Sequence, residues 1–292
     1  MTGETLAFTK GHGTENDFVL LFDELGGLDL TPALVRALCD RKAGIGADGV
    51  LRAVRAGSLP DGKGFASDTW FMDYRNADGT IAEMCGNGAR VFGAFLEREA
   101  GEDVAAGLTI ATRAGAKVVT ALGGGLYAVG MGRFAIPGGG TADSIVTIAG
   151  LTGDRPGVAV SVGNPHVVVA LAMAGELAAA DLGRPPVVSP APPEGANVEL
   201  VVPDTAEASP HGHVRMRVHE RGVGETRSCG TGACAVAVAA RAWAGVSAPT
   251  EWEVEVQGGS LIVRIEGDEV TLEGPAVLVA DGLVDLSSLT RA

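Results

Sequence analysis

Two cysteines stand in near-identical surroundings. Met84-Cys85-Gly86-Asn87-Gly88-Ala89-Arg90 and Ser228-Cys229-Gly230-Thr231-Gly232-Ala233-Cys234 share C-G-x-G-A and lie 144 residues apart. A run of small and apolar residues with helical character follows each one. Each sulfur is therefore expected at a helix start, where backbone N–H groups lack carbonyl partners and the helix dipole favours an anion. Such a turn favours thiolate over a free cysteine, whose pKa is about 8.5, and can dock a carboxylate on the same amides. Two such turns facing one carbon could exchange its proton between faces. One thiolate takes the α-proton, the other thiol returns one, and the roles swap in the reverse direction. N–H groups aimed at the substrate carboxylate would hold the charge of the carbanion. No electron-sink cofactor is then needed. The four lysines, Lys10, Lys42, Lys63 and Lys117, have no Schiff-base context, which points away from pyridoxal phosphate.

The amide side chains fit a zwitterionic guest. Five asparagines occur, Asn16, Asn76, Asn87, Asn164 and Asn197, each beside a glycine or in a turn next to a strand. Asparagine both donates and accepts, as a ligand with ammonium and carboxylate groups requires. Glu220 could take an ammonium, and Arg221 could grip a carboxylate with both prongs. Cys39 and Cys234 sit in apolar helical patterns and read as buried small hydrophobes. No cysteine or histidine stands at zinc-ligand spacing, so no metal is expected. Gly44 to Gly49 spells G-x-G-x-x-G, but Asp40-Arg41-Lys42 rather than an apolar strand precedes it, so it fails as a dinucleotide fingerprint. His211 and His213 read as solvated loop residues. Arg90 is expected to cap its helix or pair near it.

Strands outnumber helices in the elements that must position these groups. Alternating or β-branched runs predict strands at Phe18 to Phe22, Trp70 to Tyr74, Lys117 to Leu122, Val158 to Val162, Val167 to Leu171, Val214 to Val218, Trp252 to Val256 and Leu261 to Ile265. Helices are predicted at Pro32 to Arg41, Gly88 to Glu99 and Gly232 to Ala244. The last two are apolar nearly all round, the pattern of an enclosed helix. The class is α+β, with two pseudo-symmetric halves, each a mainly antiparallel, barrel-like sheet around a central apolar helix. A second echo supports the duplication: Asn16-Asp17-Phe18-Val19 and Asn164-Pro165-His166-Val167 lie 148 residues apart. The boundary falls between Gly123-Gly124-Gly125 and Gly138-Gly139-Gly140, giving halves 1–130 and 131–274. Leu59 to Ser67 reads as a surface loop.

Charge narrows the partners. The formal net charge of −14 opposes binding to nucleic acid or an anionic membrane surface. The most apolar stretch, Gly232 to Val246, is broken by Arg241 and too short to span a bilayer. Met1 to Lys10 shows no leader pattern, which points to the cytoplasm.

In these motifs the sequence resembles the diaminopimelate epimerases. The segments are Gly11-His12-Gly13 with Asn16-Asp17-Phe18, Gly44 to Gly49, Asn76 to Gly79, Met84 to Arg90, Gly163 to His166, Asn197 to Glu199, and Glu220 to Gly222 through Glu225 to Cys234. They follow the family's order. The resemblance implies a two-domain fold with the active site in its cleft, domain closure, a homodimer, and interconversion of LL- and meso-diaminopimelate. It implies that residues 275–292 return to complete the first half. It also implies that Cys85 and Cys229 are the acid and base pair, that Gly86, Asn87, Gly230 and Thr231 donate to the reacting carboxylate, and that Asn16 and Glu220 hold the reacting ammonium. Asn76, Asn164, Asn197 and Arg221 match residues that bind the distal end, and His166 lies beside the site. Thr14-Glu15 and Gly49 depart from the family pattern. A proline, hydroxyproline or other amino-acid racemase on the same scaffold, or a thiol redox or ligand-binding protein, are the alternatives.

Overall fold

The computed structural model describes residues 5–203 and 211–289. The chain divides into two compact units, formed by the described residues of Met1–Val129 with Pro275–Ala292, and by those of Gly130–Gly274. The class is α+β, mostly sheet with few helices.

In the first unit, Thr5–Gly13 pairs antiparallel with Asn16–Phe22, which runs parallel to Gly49–Arg55. The sheet continues antiparallel to Trp70–Asn76, parallel to Leu108–Thr112, then antiparallel to Gly115–Gly123 and to Leu126–Arg133. The second unit repeats this order with Arg155–Ser161, Pro165–Ala170, Asn197–Pro203, Gly212–Glu220, Glu251–Val256, Gly259–Glu266 and Glu269–Pro275. The two echoes read in the sequence are thus parts of one structural repeat. Registers agree as well, since Phe18 faces Gly49 as His166 faces Asn197. Val277–Asp285 pairs antiparallel with Thr5–Gly13.

Parallel neighbours need crossovers, and four helices lie in them. These are α1 (Pro32–Cys39), α2 (Gly86–Glu99), α3 (Ala174–Ala179) and α4 (Gly230–Ala244). Pro32 opens α1, and its N-cap Thr31 accepts from the Leu34 N–H. Every residue of α2 from Gly86 to Leu96 is buried, as are Gly230 and Gly232 to Ala240 of α4. Both helices are enclosed because small residues let strands approach closely while Val91, Phe92, Phe95 and Leu96 fill the space between. Each of those four contributes about 1.5–3 kcal/mol.

Several expectations need correction. Both enclosed helices begin two residues earlier than predicted, because the glycines after each cysteine are already helical. The strands Gly49–Arg55 and Asn197–Pro203 were not anticipated, since arginine and glutamate interrupt their apolar runs. Leu59 to Ser67 is not simply a surface loop. Gly62 is buried, and Leu59 and Phe65 pack against Val54, Phe71 and Ala111. His213 lies on the strand Gly212–Glu220 rather than in a loop. No helix among the described residues is long and apolar enough to cross a membrane.

Candidate active site

Each unit carries one of the two cysteine turns. Cys85 is the N-cap of α2, and its Sγ accepts from the Gly88 N–H at 3.4 Å. Cys229 is the N-cap of α4, and its Sγ accepts from the Gly232 N–H at 3.3 Å. The cysteine carbonyls receive the first helical bonds, from Ala89 and Ala233. That leaves the N–H groups of Gly86 and Asn87, and of Gly230 and Thr231, with no carbonyl within their helices. Each turn therefore places a sulfur beside the first amides of its helix.

Around Cys85 the partners are amides. The thiol donates to Asn16 Oδ1 at 3.5 Å, and Asn87 Nδ2 donates to the same oxygen at 3.3 Å. Asn16 Nδ2 donates to Asp48 at 2.8 Å. Asp48 in turn shares Arg41 with Asp17 at 2.7 Å to each. The buried Arg90 donates to Asn87 Oδ1 at 3.1 Å and to Thr14 Oγ1 at 3.4 Å, which fixes the orientation of the Asn87 amide. Thr14 and Glu15 form the tight turn before Asn16 with φ of 49° and 63°. Neither is glycine, so the turn stores about 1–3 kcal/mol per residue, which the surrounding contacts must offset. Gly49 admits no side chain, because a Cβ would meet the Arg75 carbonyl at 2.5 Å. Asn76 bonds Thr80 at 3.0 Å and stands outside the Asn16–Cys85–Asn87 group.

Around Cys229 the partners are ionisable. Thr231 Oγ1 lies 3.5 Å from the sulfur and accepts from Asn164 Nδ2 at 3.3 Å. His166 contacts Asn164 Oδ1 at 2.9 Å through Nε2 and Glu199 at 2.7 Å through Nδ1. Asn197 Oδ1 accepts from the Arg221 N–H at 2.9 Å. The Arg221 guanidinium is exposed and donates to the Glu194 carbonyl at 2.7 Å. Glu220 accepts from the Thr226 hydroxyl, and its charge acts on Cys229. Of the residues singled out in this half, His166, Asn164, Asn197, Glu220, Gly230, Thr231 and Cys229 come together through these interactions and the turn itself, and Arg221 joins through its backbone. Glu199 was quoted only within a family segment. Its signal was a lone acid in the apolar run Asn197 to Val202.

The expected preference for thiolate does not hold at Cys229. Burial, followed by the charges of Glu220 and Glu199, pushes this thiol well above its ordinary value. The bonds from Thr231 and the Gly232 N–H act the other way and lose. Burial and Glu199 likewise push the Glu220 carboxyl upward.

The space beside the two sulfurs differs. A Cβ on Gly88 would meet its nearest neighbours at 3.4 Å, an ordinary contact, whereas one on Gly232 would meet Glu199 Oε1 at 2.8 Å. Gly88→Ala should hold or raise the melting temperature, because alanine is favoured over glycine in a helix by about 1 kcal/mol. Gly232→Ala must displace a buried carboxylate bonded to His166, at about 1–3 kcal/mol. Differential scanning calorimetry checks the contrast, and equal melting temperatures would refute it.

The comparisons with known proteins show the family. The sequence profile described as diaminopimelate epimerase matches residues 8–136 and 158–279. A diaminopimelate epimerase of Streptomyces coelicolor is 48% identical, covering 96% of each chain. One of Thermobifida fusca is 48% identical, covering 97% of this chain and 100% of the relative. Among solved structures, a predicted epimerase of Pseudomonas aeruginosa is similar with a TM-score of 0.64 at 16% identity, covering 96% of this chain and 99% of that one, which shows a shared fold. The chain is an isomerase and belongs to the diaminopimelate epimerase family.

Proposed function

We propose that this enzyme interconverts LL- and meso-diaminopimelate without a cofactor, by proton abstraction at one cysteine and reprotonation from the other. The observation that supports the reading is the duplicated helix start, with a cysteine as the N-cap of an enclosed helix in both units. Gly86, Asn87, Gly230 and Thr231 would receive the reacting carboxylate, where negative charge gathers as the α-proton leaves. Asn16 and Glu220 would hold the ammonium, and a charged ammonium also weakens the α-C–H bond. Asn76, Asn164, Asn197 and Arg221 would bind the distal zwitterion, which proline and hydroxyproline lack. His166 acts beside the site. The product would serve lysine and peptidoglycan precursor synthesis, and the enzyme would act as a homodimer, readings that rest on the family resemblance.

The test is α-deuterium incorporation from deuterated water under reducing conditions, with no added cofactor, into LL- and meso-diaminopimelate and, in parallel, proline. Incorporation coupled to isomer conversion in diaminopimelate alone is expected. Turnover of proline would move the substrate, and thiol exchange without incorporation would replace the epimerase reading altogether.

A further inference from the structure

The loop Gly44 to Gly49, which fails as a dinucleotide fingerprint, places the side chain of Asp48. The Ile45 and Gly46 N–H groups both donate to the Leu38 carbonyl at 3.0 Å, and the Ala47 N–H donates to the Cys39 carbonyl at 3.2 Å. Gly46 takes a φ of 80°, and a Cβ on Gly44 would overlap the Ala37 carbonyl, so the loop closes on the end of α1 only with glycine at both places. The Asp48 backbone is tied on both sides: its N–H donates to the Asp17 carbonyl at 2.9 Å, and its carbonyl accepts from the Ala77 N–H at 3.0 Å. The two carboxylate oxygens then take different partners. Oδ1 accepts from Arg41 at 2.7 Å, while Oδ2 accepts from Asn16 Nδ2 at 2.8 Å and from the Asp17 N–H at 3.1 Å.

A carboxylate only accepts, so Asn16 turns its nitrogen to Asp48 and its oxygen away. That oxygen faces the start of α2, where the Cys85 thiol and Asn87 Nδ2 donate to it. The second unit differs at this point. By the shared register, Asn164 and Ala196 are the counterparts of Asn16 and Asp48, and alanine has no side-chain acceptor. Asn164 is turned the other way, with its Nδ2 donating to Thr231 at the start of α4. One backbone position thus presents an acceptor to one helix start and a donor to the other.

We propose that Asp48 is a positioning residue that makes Asn16 an acceptor. It holds the Asn16 oxygen toward the reacting end of the substrate, where an ammonium needs acceptors and an inward amide nitrogen would repel it. This rests on the reading that Asn16 holds the reacting ammonium.

The experiment compares wild type with Asp48→Ala and Asp48→Asn. Asp48→Ala releases the Asn16 amide, and kcat/KM for LL-diaminopimelate is expected to fall about 10–100-fold, the scale of a hydrogen bond to a charged group. In Asp48→Asn the Asp17 N–H keeps an oxygen in the place of Oδ2, so Asn16 stays oriented and kcat/KM should stay within about threefold of wild type, although the ion pair with Arg41 is gone. Binding of L-2-aminopimelate, which keeps the distal zwitterion and lacks the reacting amino group, should change less than about threefold in either variant, as measured by calorimetry. A structural role alone would weaken both compounds together, or leave Asp48→Asn as impaired as Asp48→Ala; either result would overturn the proposal. The bond is also read without substrate. Protein labelled with 15N-asparagine shows the side-chain NH2 pair of Asn16, assigned by its loss in Asn16→Ser. That pair should shift in Asp48→Asn, where a neutral oxygen replaces a charged one, and an unmoved pair would overturn the proposal even if Asp48→Ala fails to fold by near-ultraviolet circular dichroism. Wild type that binds neither compound would end the diaminopimelate reading, and the Asn16 pair would still decide this one.

Discussion

Serine at Cys85 or at Cys229 is expected to slow isomer conversion by about 1,000-fold or more, the scale of a lost general acid or base. The loss would be chemical rather than structural. Each sulfur is an N-cap acceptor, for the Gly88 and Gly232 N–H groups respectively. A serine hydroxyl serves as well in that role, since serine is among the preferred N-cap residues. The hydroxyl cannot give up its proton near neutral pH, so neither base nor acid of matched strength remains. Measuring deuterium incorporation and isomer ratio in both variants, alongside their melting temperatures, separates the two causes. A variant that melts with the wild type but no longer converts isomers supports the assignment. Retention of a tenth or more of wild-type conversion by either variant would remove its cysteine from the mechanism. Incorporation without inversion would show that one face still exchanges and identify the cysteine that serves it.

Asp73→Asn is expected to cost about 3–5 kcal/mol, the scale of breaking a buried ion pair. Asp73 is fully buried and meets Arg52 at 2.7 Å, Arg75 at 2.8 Å and Arg113 at 2.6 Å. Three guanidinium groups thus share one carboxylate, and its neutralisation leaves them facing one another. The network ties Gly49–Arg55 to Trp70–Asn76 and to the turn after Leu108–Thr112, the strands that end beside Gly49 and Asn76. Burial alone would raise the Asp73 carboxyl, but the bonds from Arg75 and Arg113 and the charge of Arg52 outweigh it and hold it below the ordinary range. A carboxyl lowered in the folded state stabilises above its unfolded pKa, about 4, and that contribution fades as pH falls through the folded value. Urea midpoints of wild type and Asp73→Asn should therefore differ most near neutral pH and converge in acid. A constant difference from pH 7 to pH 2 would show that the carboxylate charge is not the source.

Much of this was legible because duplication makes weak local signals reinforce each other. The C-G-x-G-A pair marked both helix starts, and the Asn16 and Asn164 echo marked the strands that precede them. The apolar character of Val91 to Leu96 and of Ala233 to Ala240 marked enclosure, since no surface helix tolerates it. Strands that bury a charged residue were harder to read. Arg52 in Gly49–Arg55 and Glu199 in Asn197–Pro203 break the apolar pattern because each has a buried partner, Asp73 and His166, that lies elsewhere in the sequence.

The sequence by itself determined which residues could carry the chemistry, two cysteines at helix starts with amides, Glu220 and Arg221 nearby, because helix-start and turn preferences act over a few residues. Only the tertiary structure decided how the two sulfurs differ. The protonation of Cys229 depends on burial and on Glu220 and Glu199, which come from two strands distant in the chain. Coulomb interaction and desolvation act through space, and the C-G-x-G-A motif is the same whether leucine or glutamate lies beneath it.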